Sequence, residues 1–323
     1  MNYALTRQTD VMDRKRVIVI AGPTATGKTA LSVQLAKLLC GEVVSADSMQ
    51  IYKHMDIGTA KPTEDEKQGI THHMLDIIPP WEDYSAARYV SDAALCIEDI
   101  HNCGKIPVLT GGTGLYIDSL LSGRGFSARG DKTMRRELEA EYDEAGGESM
   151  LRKLGEVDQQ SAGKLHANDK KRIVRALEVY KTTGKTISQH DIETKALPPR
   201  YDTIKIALTF ADREQLYKKI ERRVDTMISA GLEEEVRGLL KMEVPAESTS
   251  MQAIGYKEMV DAIYGRCGFD EAVEKIKLES RRYAKRQLTW LRRDTEISWI
   301  TWEERPDIKE CVKAIMEMHC EEK

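Results

Sequence analysis

A glycine-rich segment near the start of the chain has the residue types and spacing that bind a polyphosphate. It consists of Gly22, Pro23, Thr24, Ala25, Thr26, Gly27, Lys28 and Thr29, and it fits the pattern G-x-x-x-x-G-K-S/T in full. In such a loop the glycines allow a tight turn, and the backbone N–H groups point inward at anionic oxygens. Lys28 would add a positive charge, and the Thr29 hydroxyl could bind a magnesium ion. The motif predicts a bound di- or triphosphate, which need not be a nucleotide.

Two other segments could place reactive side chains close to that phosphate. Asp47 follows a strand candidate at 42–46 and could act as a general base, or accept a hydrogen bond from a substrate amine or hydroxyl. It could equally cap the next turn of helix. The segment 111–114 follows an apolar run, and its Thr113 could donate to a phosphate oxygen, although a plain turn would also use its glycines.

Strands and helices alternate around these three segments. Residues 17–21 are a continuous β-branched run, typical of a strand buried on both faces, and residues 42–46 and 106–109 are further strand candidates. Residues 29–39 and 85–103 have helical spacing. The alternation predicts a doubly wound α/β fold with a parallel sheet. Ligands of such sheets bind at the carboxyl ends of the strands, so the three segments should lie close together.

The sequence changes in character after residue 123. A short linker at 125–127 leads into a charged segment that is rich in helix formers and has no strand pattern, up to a proline pair at 198–199. Residues 203–209 resemble a strand that rejoins the sheet, and helical patterns follow at 213–229, 232–242, 255–263 and 270–293. We therefore predict a P-loop NTPase-like α/β core formed by residues 1–126 and 198–323, a helical insertion domain at 127–197, and a helical C-terminal region.

Composition limits the classes of protein to which the chain can belong. The 323 residues are 41% hydrophobic and 32% charged, which suffices for a folded core, and the net charge of −4 excludes a uniformly basic surface. The six cysteines lack zinc-site spacing, and the adjacent His72 and His73 have no third ligand nearby, so we expect both histidines to be structural. No apolar segment suits a membrane span or a signal peptide. We expect a cytoplasmic protein with reduced thiols and no membrane partner.

Two basic segments contrast with the rest of this acidic chain. Residues 275–293 contain eight lysines and arginines against one acidic residue, with Tyr283 and Trp290 seven positions apart on one helical face. A second cluster comprises Lys164, His166, Lys170, Lys171, Arg172 and Arg175. Flat aromatic rings between basic side chains suit an RNA backbone with unstacked bases. Either segment alone could be a solvated helix with its aromatic residues in the core, but the two together favour RNA binding.

Several longer motifs are more specific than the phosphate loop. They are the Gly-Pro-Thr opening of that loop, DSMQIY at 47–52, MDIGTAKP at 55–62, the His pair, GGTGLY at 111–116, residues 172–180, Gly-Tyr-Lys at 255–257, and AKRQLTWLR at 284–292. Through these motifs the chain resembles the bacterial tRNA dimethylallyltransferases, also called tRNA isopentenylpyrophosphate transferases. The resemblance runs from about residue 17 to residue 299.

The resemblance implies a reaction and a set of site residues. A dimethylallyl group would move from dimethylallyl diphosphate to N6 of the adenosine on the 3′ side of the anticodon in tRNA, and diphosphate would be released. Asp47 would accept from the exocyclic amine, and Thr113 would lie at the reaction channel. The negative charge that develops on the diphosphate leaving group would be neutralised by Arg223, Lys28 and a magnesium ion bound to Thr29.

The resemblance also implies a surface for the anticodon stem-loop. The matching residues are Asp47, Ser48, Met49, Gln50, Lys171, Arg172, Arg175, Gln252, Gly255, Tyr256, Lys257, Lys285, Arg286, Gln287, Trp290 and Arg292. We expect the protein to act as a monomer, with Mg²⁺ as its cofactor. The C-terminal zinc finger of eukaryotic relatives has no counterpart in the spacing of Cys311, His319 and Cys320.

Two other functions remain open at this point. A small-molecule or nucleoside kinase would share the loop and the sheet, but nucleoside triphosphatases usually end a strand on a magnesium-binding Asp. Here residues 106–109 run into Thr-Gly-Gly-Thr-Gly, which contains no carboxylate, and a kinase would leave both basic segments unexplained. A non-catalytic RNA-binding module would bind tRNA whether or not Lys28 and Asp47 were intact.

Overall fold

The computed structural model describes residues 14–123, 132–195, 198–304 and 306–321, and the predicted linker at 125–127 lies outside them. The chain forms two compact units. A core unit comprises Met1–Leu120 and Tyr201–Lys323, and an insertion unit comprises Leu121–Arg200.

The core unit is built on a six-stranded sheet in which every pairing of the named strands is parallel. Its strands are β1 (Arg16–Ala21), β2 (Glu42–Ala46), β3 (His72–His73), β4 (Pro107–Gly111), β5 (Asp202–Phe210) and β6 (Ser298–Trp302), in the order β3-β2-β4-β1-β5-β6. The central strand β1 is buried from Val17 onward because helices cover both faces of the sheet. The predicted α/β fold with a parallel sheet is therefore confirmed.

Nine helices complete the described part of the core unit. They are α1 (Lys28–Leu38), α2 (Glu64–Lys67), α3 (Ala86–Asn102), α4 (Gly114–Leu121, whose last residue belongs to the insertion unit), α10 (Arg213–Ser229), α11 (Leu232–Lys241), α12 (Tyr256–Ile263), α13 (Phe269–Leu291) and α14 (Ile308–Glu321). One apolar cluster joins the sheet to α1, α10 and α14, and a second joins α11, α12 and α13 to the segment after β2.

The C-terminal region is mostly helical, as predicted, and it also contributes one strand that was not predicted from the sequence. Residues 298–302 form β6, which pairs with β5 at the edge of the sheet. The alternation of Trp and β-branched residues in this segment is typical of a strand, so the signal was present.

The insertion unit is helical wherever it has regular structure in the described residues. Its helices are α5 (Lys132–Ala145), α6 (Gly147–Val157), α7 (Gln159–Ala162), α8 (Lys170–Thr183) and α9 (Ile187–Lys195). Leu138, Leu154 and Ile173 are among its fully buried core residues. Among the helices that the structure describes in either unit, none combines the length and the apolar composition of a membrane span.

Candidate active site

The phosphate loop connects β1 to α1, as its motif predicts. Gly22 and Gly27 have positive φ angles of 147° and 89°, which favour glycine. A Cβ on Gly22 would lie 2.7 Å from the carbonyl oxygen of Leu208, so β5 leaves no room for a side chain there. Thr26 is buried, and its hydroxyl donates to the carbonyl of Pro23 at 2.9 Å. The loop is therefore a tightly determined turn that ends at the first turn of a helix.

Two cations lie close together at this loop. Lys28 donates to the Pro23 carbonyl at 2.6 Å, and Arg223 of α10 donates to the Ala60 carbonyl at 3.5 Å. Burial and the nearby Arg223 guanidinium lower the pKa of Lys28 to about 7, against a smaller opposing effect of Asp47. Burial also lowers the pKa of Arg223. A poorly hydrated pair of like charges is costly, and a multivalent anion between them would remove that cost.

A cavity of about 700 Å³ opens in front of the loop. The predicted site residues that line it are Thr24, Ala25, Thr26, Gly27, Lys28, Thr29, Asp47, Gln50, Arg223 and Gln287. Gly22 and Pro23 are buried beneath them. The cavity thus brings the phosphate loop, the carboxyl ends of β2 and β4, and helices α10 and α13 together at one edge of the sheet.

Asp47 caps a turn, as one of its two predicted roles requires, and it also lines the cavity. Its Oδ1 accepts from the backbone N–H groups of Met49 at 2.9 Å and Gln50 at 3.4 Å, so the carboxylate caps the turn after β2. The same residue lines the cavity and is only half-buried. A capped carboxylate is held in one orientation, which suits a hydrogen-bond acceptor for a substrate.

Thr113 is fixed beside Asp47 by the loop that follows β4. Its Oγ1 accepts from the Ser48 N–H at 3.0 Å, and its own N–H donates to the Ala46 carbonyl at 3.1 Å. Tyr283 of α13 interacts with both Thr113 and Asp47 and lines the cavity. Burial and the Asp47 carboxylate raise the pKa of Tyr283 to about 12, so its hydroxyl stays protonated and available as a donor.

Helix α13 approaches the loop after β4 closely because that loop consists of small residues. Gln287 donates to the carbonyl of Gly112 at 2.9 Å. A Cβ on Gly112 would overlap the Gln287 amide, and a Cβ on Gly114 would overlap the Trp290 ring. The glycines are therefore required for the contact between this loop and α13.

Glu235 of α11 holds another wall of the cavity, the loop 56–60. Its Oε2 accepts from the N–H groups of Asp56 and Ile57, each at 2.8 Å, and its Oε1 accepts from the Gly58 N–H at 3.1 Å. The Tyr256 hydroxyl donates to the same Oε1 at 2.6 Å. Glu235 is not predictable as a site residue from the sequence, because it stands in a run of three glutamates that is typical of an exposed helix start.

The residues predicted to contact tRNA in the core unit fall into three groups. The exposed residues are Gln252, Lys285, Arg286 and Arg292. The half-buried residues are Asp47, Ser48, Met49, Gln50, Lys257 and Trp290, and the buried ones are Gly255, Tyr256 and Gln287. The Tyr256 ring is 0% exposed and its hydroxyl is bound to Glu235, so this residue supports the cavity wall, and its contact with tRNA stays a prediction. Gly255 is also enclosed, with its N–H donating to the Glu258 carboxylate at 2.8 Å.

The predicted RNA-binding residues of the insertion unit lie along α8. Lys171 and Arg172 are exposed at its first turn, while Arg175 is half-buried. Arg175 forms an ion pair at 3.0 Å with Glu178, whose carboxylate is 0% exposed. Arg135 of α5 pairs with the same carboxylate at 2.9 Å. The buried acid therefore joins two helices and orients both guanidinium groups.

Comparisons with known proteins identify the family. The model of IPP transferases matches residues 50–294, and that of isopentenyl transferases matches residues 15–79. The chain is 51% identical over 286 residues to the tRNA dimethylallyltransferase of Caldanaerobacter subterraneus subsp. tengcongensis, which covers 88% of this chain and 91% of that protein. It is 47% identical to the tRNA dimethylallyltransferase of Acetivibrio thermocellus, over 92% of this chain and 95% of that protein.

Solved structures lead to the same assignment. The tRNA isopentenylpyrophosphate transferase of Bacillus halodurans superposes with a TM-score of 0.70 at 40% identity, over 94% of this chain and 96% of that one. A eukaryotic dimethylallyltransferase, whose structures show it acting on tRNA, has a TM-score of 0.78 at 32% identity, over 90% of this chain and 74% of that one. These relatives are tRNA prenyltransferases and not kinases. The chain therefore belongs to the IPP transferase family, the family of the tRNA dimethylallyltransferases.

Proposed function

We propose that this protein transfers a dimethylallyl group from dimethylallyl diphosphate to N6 of the adenosine on the 3′ side of the anticodon in tRNA. One observation carries the proposal: a single cavity combines a phosphate-binding loop and two poorly hydrated cations with a capped carboxylate, Asp47. Proteins that are about half identical over most of this chain are named for the same transfer.

The phosphate loop would bind the leaving group. Lys28, Arg223 and the inward N–H groups of residues 24–29 would bind the diphosphate oxygens and stabilise the charge that develops as the C–O bond breaks. The Thr29 hydroxyl and the diphosphate oxygens are the hard ligands that Mg²⁺ prefers. When bound, the ion would neutralise part of the leaving group's charge.

The other end of the cavity would receive the adenine. Its N6 must attack the allylic carbon, so the base has to leave the anticodon-loop stack. Asp47 would accept a hydrogen bond from the amine and take its proton, while Thr113 and Tyr283 keep that carboxylate and its surroundings in place. Correct orientation matters here because an exocyclic amine is a weak nucleophile.

The basic surfaces would hold the tRNA. We assign the anticodon stem to Lys171, Arg172 and Arg175 of the insertion domain, and the loop to Lys285, Arg286 and Arg292 of α13. We expect the enzyme to act as a monomer. Since its substrate would be tRNA, we expect it to act in the cytoplasm.

One assay tests this function. The protein is incubated with unmodified tRNA, Mg²⁺ and dimethylallyl diphosphate, and the digested nucleosides are examined by mass spectrometry. We expect isopentenyl-adenosine from the native protein and a large loss with Asp47→Asn, which keeps the size of the side chain and removes its charge. No product, or equal product from the variant, contradicts the proposal. Phosphorylation of a small metabolite by ATP would instead favour the kinase.

A further inference from the structure

The C-terminal segment lies against the phosphate loop, although it is outside residues 50–294 of the IPP transferase match. Trp302 is the last residue of β6 and is 6% exposed. Its indole Nε1–H donates to the carbonyl oxygen of Thr26 at 3.0 Å, in a buried environment. Its own carbonyl accepts from the Ala211 N–H at 2.9 Å, which fixes the end of the strand. A residue 276 positions away thus bonds to the middle of the loop.

The hydrogen bond to Thr26 determines where the next N–H points. The Thr26 carbonyl and the Gly27 N–H belong to one trans peptide unit, and they point in opposite directions. The Trp302 indole N–H donates to the carbonyl oxygen on one side of this peptide. The Gly27 N–H is therefore directed to the other side, and both Thr26 and Gly27 line the cavity there. An inward N–H is what the loop needs to bind an anionic oxygen.

A second contact acts on the same peptide. Gly27 has a positive φ of 89°, and a Cβ built on it would lie 3.4 Å from Pro306 and 3.6 Å from Ile308. The segment after β6 therefore packs directly on the outer face of Gly27. Without such support, a glycine with free space on that face could rotate its peptide at little steric cost.

We propose that Trp302 is a positioning residue for diphosphate binding, which acts by holding the Thr26–Gly27 peptide with its N–H toward the cavity. The inference rests on the proposed function only in that the loop binds a diphosphate. It does not depend on tRNA or on the group transferred. Trp302 is not among the described residues that line the cavity, so its effect should fall on the affinity for the diphosphate and not on the chemical step.

Binding of inorganic pyrophosphate with Mg²⁺, measured by calorimetry, tests this role. Trp302→Phe keeps an aromatic ring and removes the N–H, and we expect pyrophosphate to bind about three- to tenfold more weakly, the size of one neutral hydrogen bond. In the transfer assay, KM for dimethylallyl diphosphate should rise by the same factor, while kcat and KM for tRNA change less than twofold. The matched control is Trp299→Phe, on the opposite face of the same strand.

A thermal melt of each variant separates this role from a loss of folding. If Trp302→Phe unfolds, 3-benzothienylalanine at position 302 replaces it, since that residue keeps the bicyclic ring and exchanges only the N–H for sulfur. Native-like pyrophosphate affinity in a folded variant that lacks the N–H overturns the inference, as does an equal loss in Trp299→Phe. Failure of the native protein to bind pyrophosphate would instead contradict the proposed function.

Discussion

The cations of the cavity and the cations of the insertion unit are held in opposite ways. Lys28 and Arg223 donate to backbone carbonyls, and within the described residues neither forms an ion pair with a carboxylate. In the insertion unit, Arg135 and Arg175 share the buried carboxylate of Glu178. The first arrangement leaves two cations without an ion-pair partner, at a cost to the folded protein. The second uses positive charge to join helices.

The difference indicates which charges await a ligand. Removing a cation from the cavity should relieve repulsion and abolish anion binding, so function and stability would change in opposite directions. Removing a member of the insertion-unit pair should damage the fold first. Three experiments test this distinction.

The largest effect is expected from Lys28→Ala. Loss of a charge that stabilises a developing anion typically costs about 10²- to 10³-fold in rate, and we expect a fall of that size in transfer activity. The melting temperature should stay the same or rise, because the repulsion with Arg223 disappears. Lys37→Ala, an exposed position in the last turn of α1, serves as the control. A clear drop in melting temperature would show that Lys28 is structural.

A smaller effect, on stability, is expected from Glu178→Ala. The substitution leaves two guanidinium groups without their shared partner, and we expect a loss of about 2 to 3 kcal/mol, below the 3–5 typical of fully buried pairs because both arginines reach solvent. Hydrogen exchange should rise in α5 and α8, while pyrophosphate affinity stays within twofold of native. Glu193→Ala, which removes an exposed partner of Lys185, is the control. Unchanged exchange would refute the structural role.

The smallest effect is a pH dependence of pyrophosphate binding. Lys28 has a pKa of about 7 in the free protein, and a bound anion favours its charged form and raises that pKa. The affinity for pyrophosphate is therefore highest below pH 7, where Lys28 is charged. It falls as the pH rises through 7, by up to about tenfold per pH unit. Lys28→Arg stays charged throughout, so its profile contains only the ionisation of pyrophosphate itself. Parallel profiles for the two proteins would contradict the prediction.

Sequence patterns predicted those features of the molecule that depend on residues close together in the chain. The phosphate loop and β1 are determined by short-range spacing, and both were found where the pattern put them. Glu235 was not found, because its backbone donors lie 177 to 179 positions away and no local pattern connects them. The bond from Trp302 to Thr26 spans a still longer separation. Hydrogen bonds between distant segments depend on the tertiary fold, which local spacing does not encode.

Tyr256 illustrates a different limit. A tyrosine in a motif with Gly and Lys on either side resembles a surface recognition element, yet its ring fills space left by Gly58 and its hydroxyl completes the Glu235 cluster. The same residue types serve burial and binding, and only the surrounding structure distinguishes the two uses.

The contact of α13 with the loop after β4 has a mechanical consequence. Gln287 and Trp290 occupy the space that side chains at Gly112 and Gly114 would need, so no compressible gap separates the helix from the loop that carries Thr113. Under the proposed function, the same helix exposes Lys285 and Arg286 to the RNA. A displacement of α13 by RNA bound on that exposed face would therefore be transmitted directly to Thr113. Docking of the tRNA and alignment of the reaction centre would then be one coupled displacement and not two separate events.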